Sequence, residues 1–358
     1  MSTFGNRLRI NVFGESHGPA MGVVIDGLES GIELDMPYIS DMLDRRRPGT
    51  GKHVTGRSEG DVPEILSGVM NGRTTGMPLC AIIRNNDARS GDYERHSDLP
   101  RPGHSDFTAF MKYNGFNDAR GGGAFSGRLT APIVFAGAIA KRILEDRGIK
   151  IVSHLLQAGS VRDIMLNKLD YDESQYRAIC SNSLPMIDQT ASETAMREVE
   201  EARISMNSIG SSIETAAYGV PVGTGEPGFD SMESRLSAIC FGIPGVKAIG
   251  FGKGFGFAAM MGSEANDPFY YDGDVVRTKT NNSGGILGGI SNGMPLVFTT
   301  IMKPTPSIAR RQDTVDLASG ENAVIEIKGR HDPCIGIRAV PVMEACAALV
   351  LLDYMTED

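Results

Sequence analysis

The chain has 358 residues, 41% of them hydrophobic and 22% charged, and a net charge of −9, enough length for one large domain or two with substantial cores. The acidic balance argues against nucleic acid or an anionic membrane as the main partner, and the most apolar stretches, near 129–140 and 339–352, are too short to span a bilayer. Five cysteines with no CxxC pair argue against a disulfide framework or a structural zinc site, and with an N-terminus lacking a signal-peptide core they point to the cytoplasm.

The alternation of Leu8, Ile10 and Val12 predicts a strand over 8–14, paired across a tight turn with a second over 21–28. A helix follows at 37–47, with Asp35 near its start, Ile39, Met42 and Leu43 on one face, and Pro48-Gly49 as its stop. Strands are expected at 63–69 and 78–84. The polar loop 85–103 is of a length uncommon without a function. Residues 128–147 form the clearest helix: Leu129, Ile133, Ala136, Ala140, Ile143 and Leu144 keep helical spacing, and Gly148 closes it.

The second half repeats the mixture. A strand at 152–156 precedes a helix at 191–205 with a capping box at Thr190 and Glu193. Strands at 211–222 and 245–250 surround a helix at 231–240, and 264–276 reads as loop. Strands at 295–302 and 323–328 flank the loop KPTPSIARRQDT, and a helix at 339–355 carries Pro341 in its first turn. No linker or composition break divides the chain, so it reads as a single unit over 1–358.

Residues 101–128 hold the strongest functional signal. His104 and Asp106 share one turn, Arg120 precedes Gly121, Gly122 and Gly123, and Ser126 and Arg128 open the long apolar helix. Three consecutive glycines cost backbone entropy and suit a place where a ligand approaches the main chain. A glycine turn entering a helix N-terminus also suits a phosphate. A second histidine, His17, ends the first strand in NVFGESHG. Arg45, Arg46, Arg47, Lys52 and Arg57 crowd thirteen residues of an acidic chain, as expected for a small anionic ligand or, alternatively, for a solvated helix end opposing its dipole.

GESHG, RPGH-D, RGGG, GGI-GGISNG, MKP-P and GRHDPC follow one another from the first strand to the last helix. In order and spacing they resemble the chorismate synthase family. The resemblance implies an α+β fold, a β-α-β sandwich whose helices lie between antiparallel sheets, assembled as a homotetramer. It implies a carbon–oxygen lyase of the shikimate pathway and aromatic amino acid biosynthesis, which eliminates phosphate from 5-enolpyruvylshikimate 3-phosphate with reduced FMN. Two sources of electrons stay open, NADPH used by the protein itself or an external flavin reductase; the lack of a further dinucleotide signature favours the reductase.

By the same resemblance, His17 is the proton donor near the substrate phosphate and His104 the one beside the flavin, a role that histidine's near-neutral titration suits. Asp332 matches the aspartate that helps remove the C6 hydrogen, and Arg330 an arginine that contacts flavin and substrate, unless the two merely form an ion pair. Arg46 and Lys52 match a phosphate- or nucleotide-contacting pair, and Arg120 and Arg128 are candidates for the substrate's carboxylates. Flavin-binding positions fall on Ala124, Phe125, Ser126, Pro244, Gly245, Gly288, Lys303, Pro304, Thr305, Pro306 and Ser307. No metal is expected.

The chain departs from the family at two of these places. Ala124 and Phe125 stand where Arg and Ser are usual, and Pro244-Gly245 where Asn-Ala is common. Two other readings compete: a flavin- or anion-binding relative without activity, and a nicotinamide oxidoreductase suggested by the GxGxxA stretch 254–259. The second lacks the βαβ unit and acidic residue that such a motif needs.

Overall fold

A helix apolar on every side belongs in the middle of a fold, and the last helix of this chain is one. The computed structural model describes residues 2–47, 60–85, 98–327 and 332–356. Among these, the helices are α1 (Met36–Arg46), α2 (Asp106–Lys112), α3 (Thr130–Asp146), α4 (Glu173–Ser181), α5 (Gln189–Ile204), α6 (Met232–Phe241), α7 (Gly262–Ala265) and α8 (Gly336–Met355). α8 is buried from Ala339 to Asp353 without interruption. It packs on α3, α1 and α6 and on one of the two five-stranded sheets.

The first sheet runs Thr3–Phe4, Arg9–Gly14, Ala20–Asp26, Leu79–Arg84, Pro63–Ser67 in spatial order, with every pair antiparallel. The second runs Val246–Phe251, Leu296–Met302, Ser211–Tyr218, Lys150–Ala158, Val161–Arg162, again antiparallel throughout. α3 lies on Ala20–Asp26 and Leu79–Arg84, and α8 on Lys150–Ala158 and Ser211–Tyr218. The helices therefore fill the space between the two sheets, the β-α-β sandwich expected. α3 and α8 meet most closely at Gly137, where an added Cβ would lie 2.2 Å from that of Ala345.

Several elements differ from the sequence expectations. α5 starts at Gln189 and its cap is Asp188, whose carboxylate accepts from the Ala191 N–H; Thr190 lies inside the first turn. α8 starts three residues early, so Pro341 sits within the helix rather than in its first turn. α4 has no counterpart in the expectations, although Asp172 caps it by accepting from Ser174 and Gln175. Part of the loop after Lys303 is a strand, Arg311–Asp316, paired with Glu321–Glu326. Residues 264–276 hold α7 and a hairpin, Phe269–Asp272 with Val275–Thr278. Residues Gly254–Ala259 form a 3₁₀ turn, so the GxGxxA stretch opens no long helix and the nicotinamide reading loses its support. Residues 86–97 of the polar loop lie outside the described residues.

One buried ionic cluster ties these layers together, and a second braces the second sheet from outside. Glu344, 1% exposed within α8, receives Arg45 of α1 at 2.7 Å, Lys141 of α3 at 2.7 Å and the Ser153 N–H of the second sheet at 3.3 Å. On the outer face of that sheet, His154 lies between Asp163 and Glu214, both at 3.1 Å. Burial alone would lower the His154 pKa, but the two carboxylates outweigh it and raise it.

Burial pushes the Glu344 pKa up, yet Arg45 and Lys141 more than reverse this and hold it at about 2. A carboxyl depressed from an unfolded value near 4.3 contributes stability above that pH and loses it as pH falls towards 2. Glu344→Gln, which leaves the buried Lys141 and the partly exposed Arg45 without their carboxylate, should cost roughly 3 kcal/mol at neutral pH. Urea unfolding at pH 7 and pH 3 checks this: the gap between parent and variant should narrow at pH 3, and an equal gap at both would assign the loss to packing instead.

Candidate functional site

The strand Arg9–Gly14 delivers the turn that carries Ser16 and His17, and the segment after α2 brings the three glycines to it. Gly121, Gly122 and Gly123 all have positive φ, at 59°, 93° and 53°, which glycine adopts without steric cost. A Cβ at Gly121 would lie 2.0 Å from His17 Cε1 and 2.3 Å from its Nδ1. One at Gly122 would lie 3.1 Å from His104 Cε1 and 3.2 Å from its Nε2. The two histidines, far apart in sequence, are thus packed on adjacent residues of one glycine turn. The turn is fixed by the Ser16 N–H donating to the Gly123 carbonyl at 3.2 Å.

The glycines do not themselves begin the long helix. Ser126 is extended and caps a short 3₁₀ turn, Gly127–Leu129, by accepting from the Arg128 N–H, and α3 begins at Thr130. The glycines' main visible task is to seat the two imidazoles.

Hydrogen-bond logic fixes one tautomer. The Ser16 hydroxyl donates to the Arg120 carbonyl at 3.2 Å, so at 3.0 Å from His17 Nδ1 it accepts, and Nδ1 carries the proton. His104 is held by more partners. Its Nδ1 lies 2.6 Å from Asp106 Oδ1, while Arg101 donates to Asp106 through Nε at 2.7 Å and Nη2 at 2.8 Å. Burial would raise the Asp106 pKa, but the bonds from Arg101 and His104 overcome it and hold the carboxyl well below the usual range.

The second half of the chain closes on this cluster. Arg101 Nη1 donates to the Ser307 hydroxyl at 3.2 Å, and Lys303 donates through Nζ to the Gly103 carbonyl. Burial and Lys247 lower the Lys303 pKa. The Thr305 hydroxyl donates to the Asp332 carbonyl at 3.0 Å, and the Lys303 N–H to the Gly245 carbonyl at 2.9 Å. Residues 303–307, Pro244-Gly245 and Asp332 thus form one continuous wall beside His104.

Asp332 pairs with Arg338, one turn into α8, at 2.5 Å; Arg338 also donates to the Arg46 carbonyl at 3.0 Å. Arg46, 2% exposed, binds Asp61 at 2.6 Å, and Arg128 binds the other oxygen of the same carboxylate. Burial lowers the Arg46 pKa to about 10, with Asp61 opposing and the nearby Arg338 and Arg128 adding to the fall. Burial would raise the Asp61 pKa, but Arg46 and Arg128 reverse this and lower it. Three guanidiniums thus gather around two carboxylates, a setting that favours an added anion.

The structure redistributes some sequence candidates. The consecutive arginines do not share one load: Arg45 binds Glu344, Arg46 binds Asp61, and Arg47 binds Asp44 and the Gly60 carbonyl. Arg120 pairs with Asp118 at 2.8 Å and is exposed, while Arg128 is buried against Asp61, so the two are not a matched carboxylate clamp. Gly288 sits on the hairpin 286–291, whose bonds run to Pro221, Thr224 and Met232 and not to the histidine cluster. Ala124 is exposed, and Phe125, 38% exposed, faces Tyr113 with ring centroids 6.4 Å apart. Lys52 and Arg330 lie outside the described residues. Sequence reasoning missed Arg101, Asp61 and Arg338 as members; only Arg101, three residues before His104, carried a local signal.

Comparison with known proteins adds an independent line. The chorismate synthase family profile matches residues 8–356. A chorismate synthase of Methanocella arvoryzae is 48% identical over 354 residues, covering 99% of this chain and 94% of the relative. One of Aeropyrum pernix is 46% identical over 353 residues, covering 99% and 92%. A crystal structure of chorismate synthase superposes with a TM-score of 0.77 at 27% identity, covering 98% of this chain and 92% of the other. Likeness of this depth reaches through both sheets, the helices between them and every segment that meets at the glycine turn: the chain belongs to the chorismate synthase family, carbon–oxygen lyases of the shikimate pathway.

Proposed function

We propose that the family's reaction, loss of the C3 phosphate and a C6 hydrogen from 5-enolpyruvylshikimate 3-phosphate, takes place on the glycine turn, within a single catalytic unit spanning the chain. The observation that carries this is the seating of His17 on Gly121 and His104 on Gly122. In this reading His17 donates a proton to the departing phosphate and His104 holds a proton beside the flavin. Asp332, fixed by Arg338, helps take the C6 hydrogen. Arg46 and Arg128, with Arg120 at the margin, hold the substrate's anionic groups, and Lys52 joins them on the family resemblance alone.

Reduced FMN fits the residues present. Arg101 and Lys303 bring two cations to the wall beside His104, and the Ser307 hydroxyl, which accepts from Arg101, keeps its own proton for the flavin's polar edge or phosphate. Ala124, Phe125, Ser126, Pro244, Gly245, Lys303 to Ser307 and Arg330 would hold it, whereas Gly288, on a hairpin bonded elsewhere, leaves the set. When bound, reduced FMN would supply the electron density that eases departure of the phosphate.

We place the electron supply with an external reductase rather than NADPH bound here, since residues 254–259 form a 3₁₀ turn without a long helix. Homotetramer assembly is supported by strongly exposed aromatics such as Phe229 and Phe255. A cytoplasmic setting is supported by five free cysteines. Among the described residues no helix is long and apolar enough to cross a membrane.

Phosphate release from 5-enolpyruvylshikimate 3-phosphate with chemically reduced FMN is the direct assay. His17→Ala and His104→Ala should each lower kcat by roughly two to four decades; near-parent turnover in either removes that residue from the reaction. Gly121→Ala tests the cradle itself. The new methyl needs the space of the His17 ring and a left-handed backbone, so kcat should fall by roughly a hundredfold or more, with a stability loss of roughly 1–2 kcal/mol. Parent-like turnover would mean that the ring moves aside without consequence.

A further inference from the structure

We propose that Asp106, held by Arg101, is a positioning residue that keeps the proton of His104 on Nδ1 and so presents Nε2 to the glycine turn. This deepens the reading of His104 given above and rests on it.

The argument is one of donors and acceptors. Asp106 Oδ1 approaches His104 Nδ1 to 2.6 Å, and an ionised carboxylate can only accept. The Asp106 carboxyl is kept ionised: Arg101 reaches it with Nε, Nη2 and its own backbone N–H, at 2.7, 2.8 and 3.0 Å. Nδ1 must therefore be the donor. Arg101 Nη2 also lies 3.1 Å from Nδ1, but a guanidinium has no lone pair to offer. That proximity follows from both groups sharing Oδ1.

With the proton fixed on Nδ1, the Cε1–Nε2 edge is left facing the Gly122 backbone, the position shown by the 3.1 and 3.2 Å approaches of a Cβ built there. A neutral ring then has its lone pair on the face where chemistry is placed, and a protonated ring has its second proton there. The opposite tautomer would turn a fixed donor to that face and leave the proton exchange to no acceptor.

The arrangement is anchored across the chain. Arg101 Nη1 reaches Ser307, so the segment that walls the site also fixes the group that fixes the histidine. The three side chains are shielded from water: Arg101 is 12% exposed, His104 15% and Asp106 17%. A charge-assisted bond in such surroundings holds a ring orientation better than an exposed one. Both Asp106 oxygens are taken up by Arg101 and His104. Its action on the reaction passes through His104.

Asp106→Asn tests this, because it keeps the shape but leaves one acceptor oxygen, which the Arg101 backbone N–H and Nε claim, and turns an NH2 donor towards His104 Nδ1. Three measurements on the full chain are combined. In protein carrying ¹⁵N-labelled histidine, with the His104 signals assigned by their loss in His104→Ala, the parent should show the proton on Nδ1. Asp106→Asn should move a measurable share to Nε2. In the phosphate-release assay with reduced FMN, kcat should fall by roughly a hundredfold, with KM changed much less. The double variant His104→Ala/Asp106→Asn should be no slower than His104→Ala alone, since a positioning residue has nothing left to position.

Unchanged tautomer signals in Asp106→Asn, or a double variant whose losses add, would overturn the proposal and leave Asp106 as a fold-stabilising partner of Arg101. Parent-like turnover in His104→Ala would instead overturn the role of His104, while the NMR result would still decide whether Asp106 sets the tautomer. If Asp106→Asn does not fold, Asp106→Glu keeps the acceptor, and retention of the Nδ1 proton with partial turnover there supports the assignment; loss of both contradicts it.

Discussion

The absence of a side chain at two adjacent positions organises everything around the site. Gly121 and Gly122 lie under the rings of His17 and His104, and all three glycines of the turn adopt a left-handed backbone that other residues reach only with strain. One peptide link therefore sets the spacing between two imidazoles that the sequence separates by more than eighty residues. The Ser16 bond to Gly123 and the serine hydroxyl on the Arg120 carbonyl lock the first ring to the turn. The Arg101–Asp106 pair locks the second.

A second constraint is electrostatic. Guanidiniums of Arg46 and Arg128 are buried to 2% and 6% exposure, and burial of unpaired charge would cost far more than the fold can offset. Asp61 answers both, and Asp332 answers Arg338 beside them. The cluster is thus stable without ligand yet short of negative charge, a balance suited to an anion that must bind and then leave. Because Arg338 belongs to α8, whose Glu344 ties α1, α3 and the second sheet together, the site is fixed to the most deeply buried helix of the molecule.

Periodicity made the large elements legible: the strand pair around residue 17, the helix from Thr130 and the apolar final helix all lie close to their expected places. The motifs also singled out both histidines, Asp332 and residues 303–307, and long-range bonds join Asp332 to the 303–307 segment and that segment to Arg101. What stayed hidden was pairing. Nothing in the local pattern tells that Arg45 turns to Glu344 while its neighbour Arg46 turns to Asp61, or that Asp332 finds Arg338 within the following helix. The cap of α5 slipped because Asp188 and Thr190 are both competent acceptors and only the chain direction decides between them. The first strand of the hairpin at 311–326 was obscured because its half-buried side carries the polar Gln312, Thr314 and Asp316 while its one apolar residue, Val315, is exposed.

The central claim is that residues from both halves of the chain, the histidines on the glycine turn and Asp332 behind the 303–307 wall, act in one reaction centre. The C6 hydrogen reports on it most directly. Turnover of substrate deuterated at C6 should be compared between the parent and Asp332→Asn, with reduced FMN supplied. The account predicts slower turnover in the variant, little change in apparent substrate affinity, and a larger isotope effect, because hydrogen removal becomes more limiting. An unchanged isotope effect accompanied only by weaker binding would contradict it and leave Asp332 as the structural partner of Arg338.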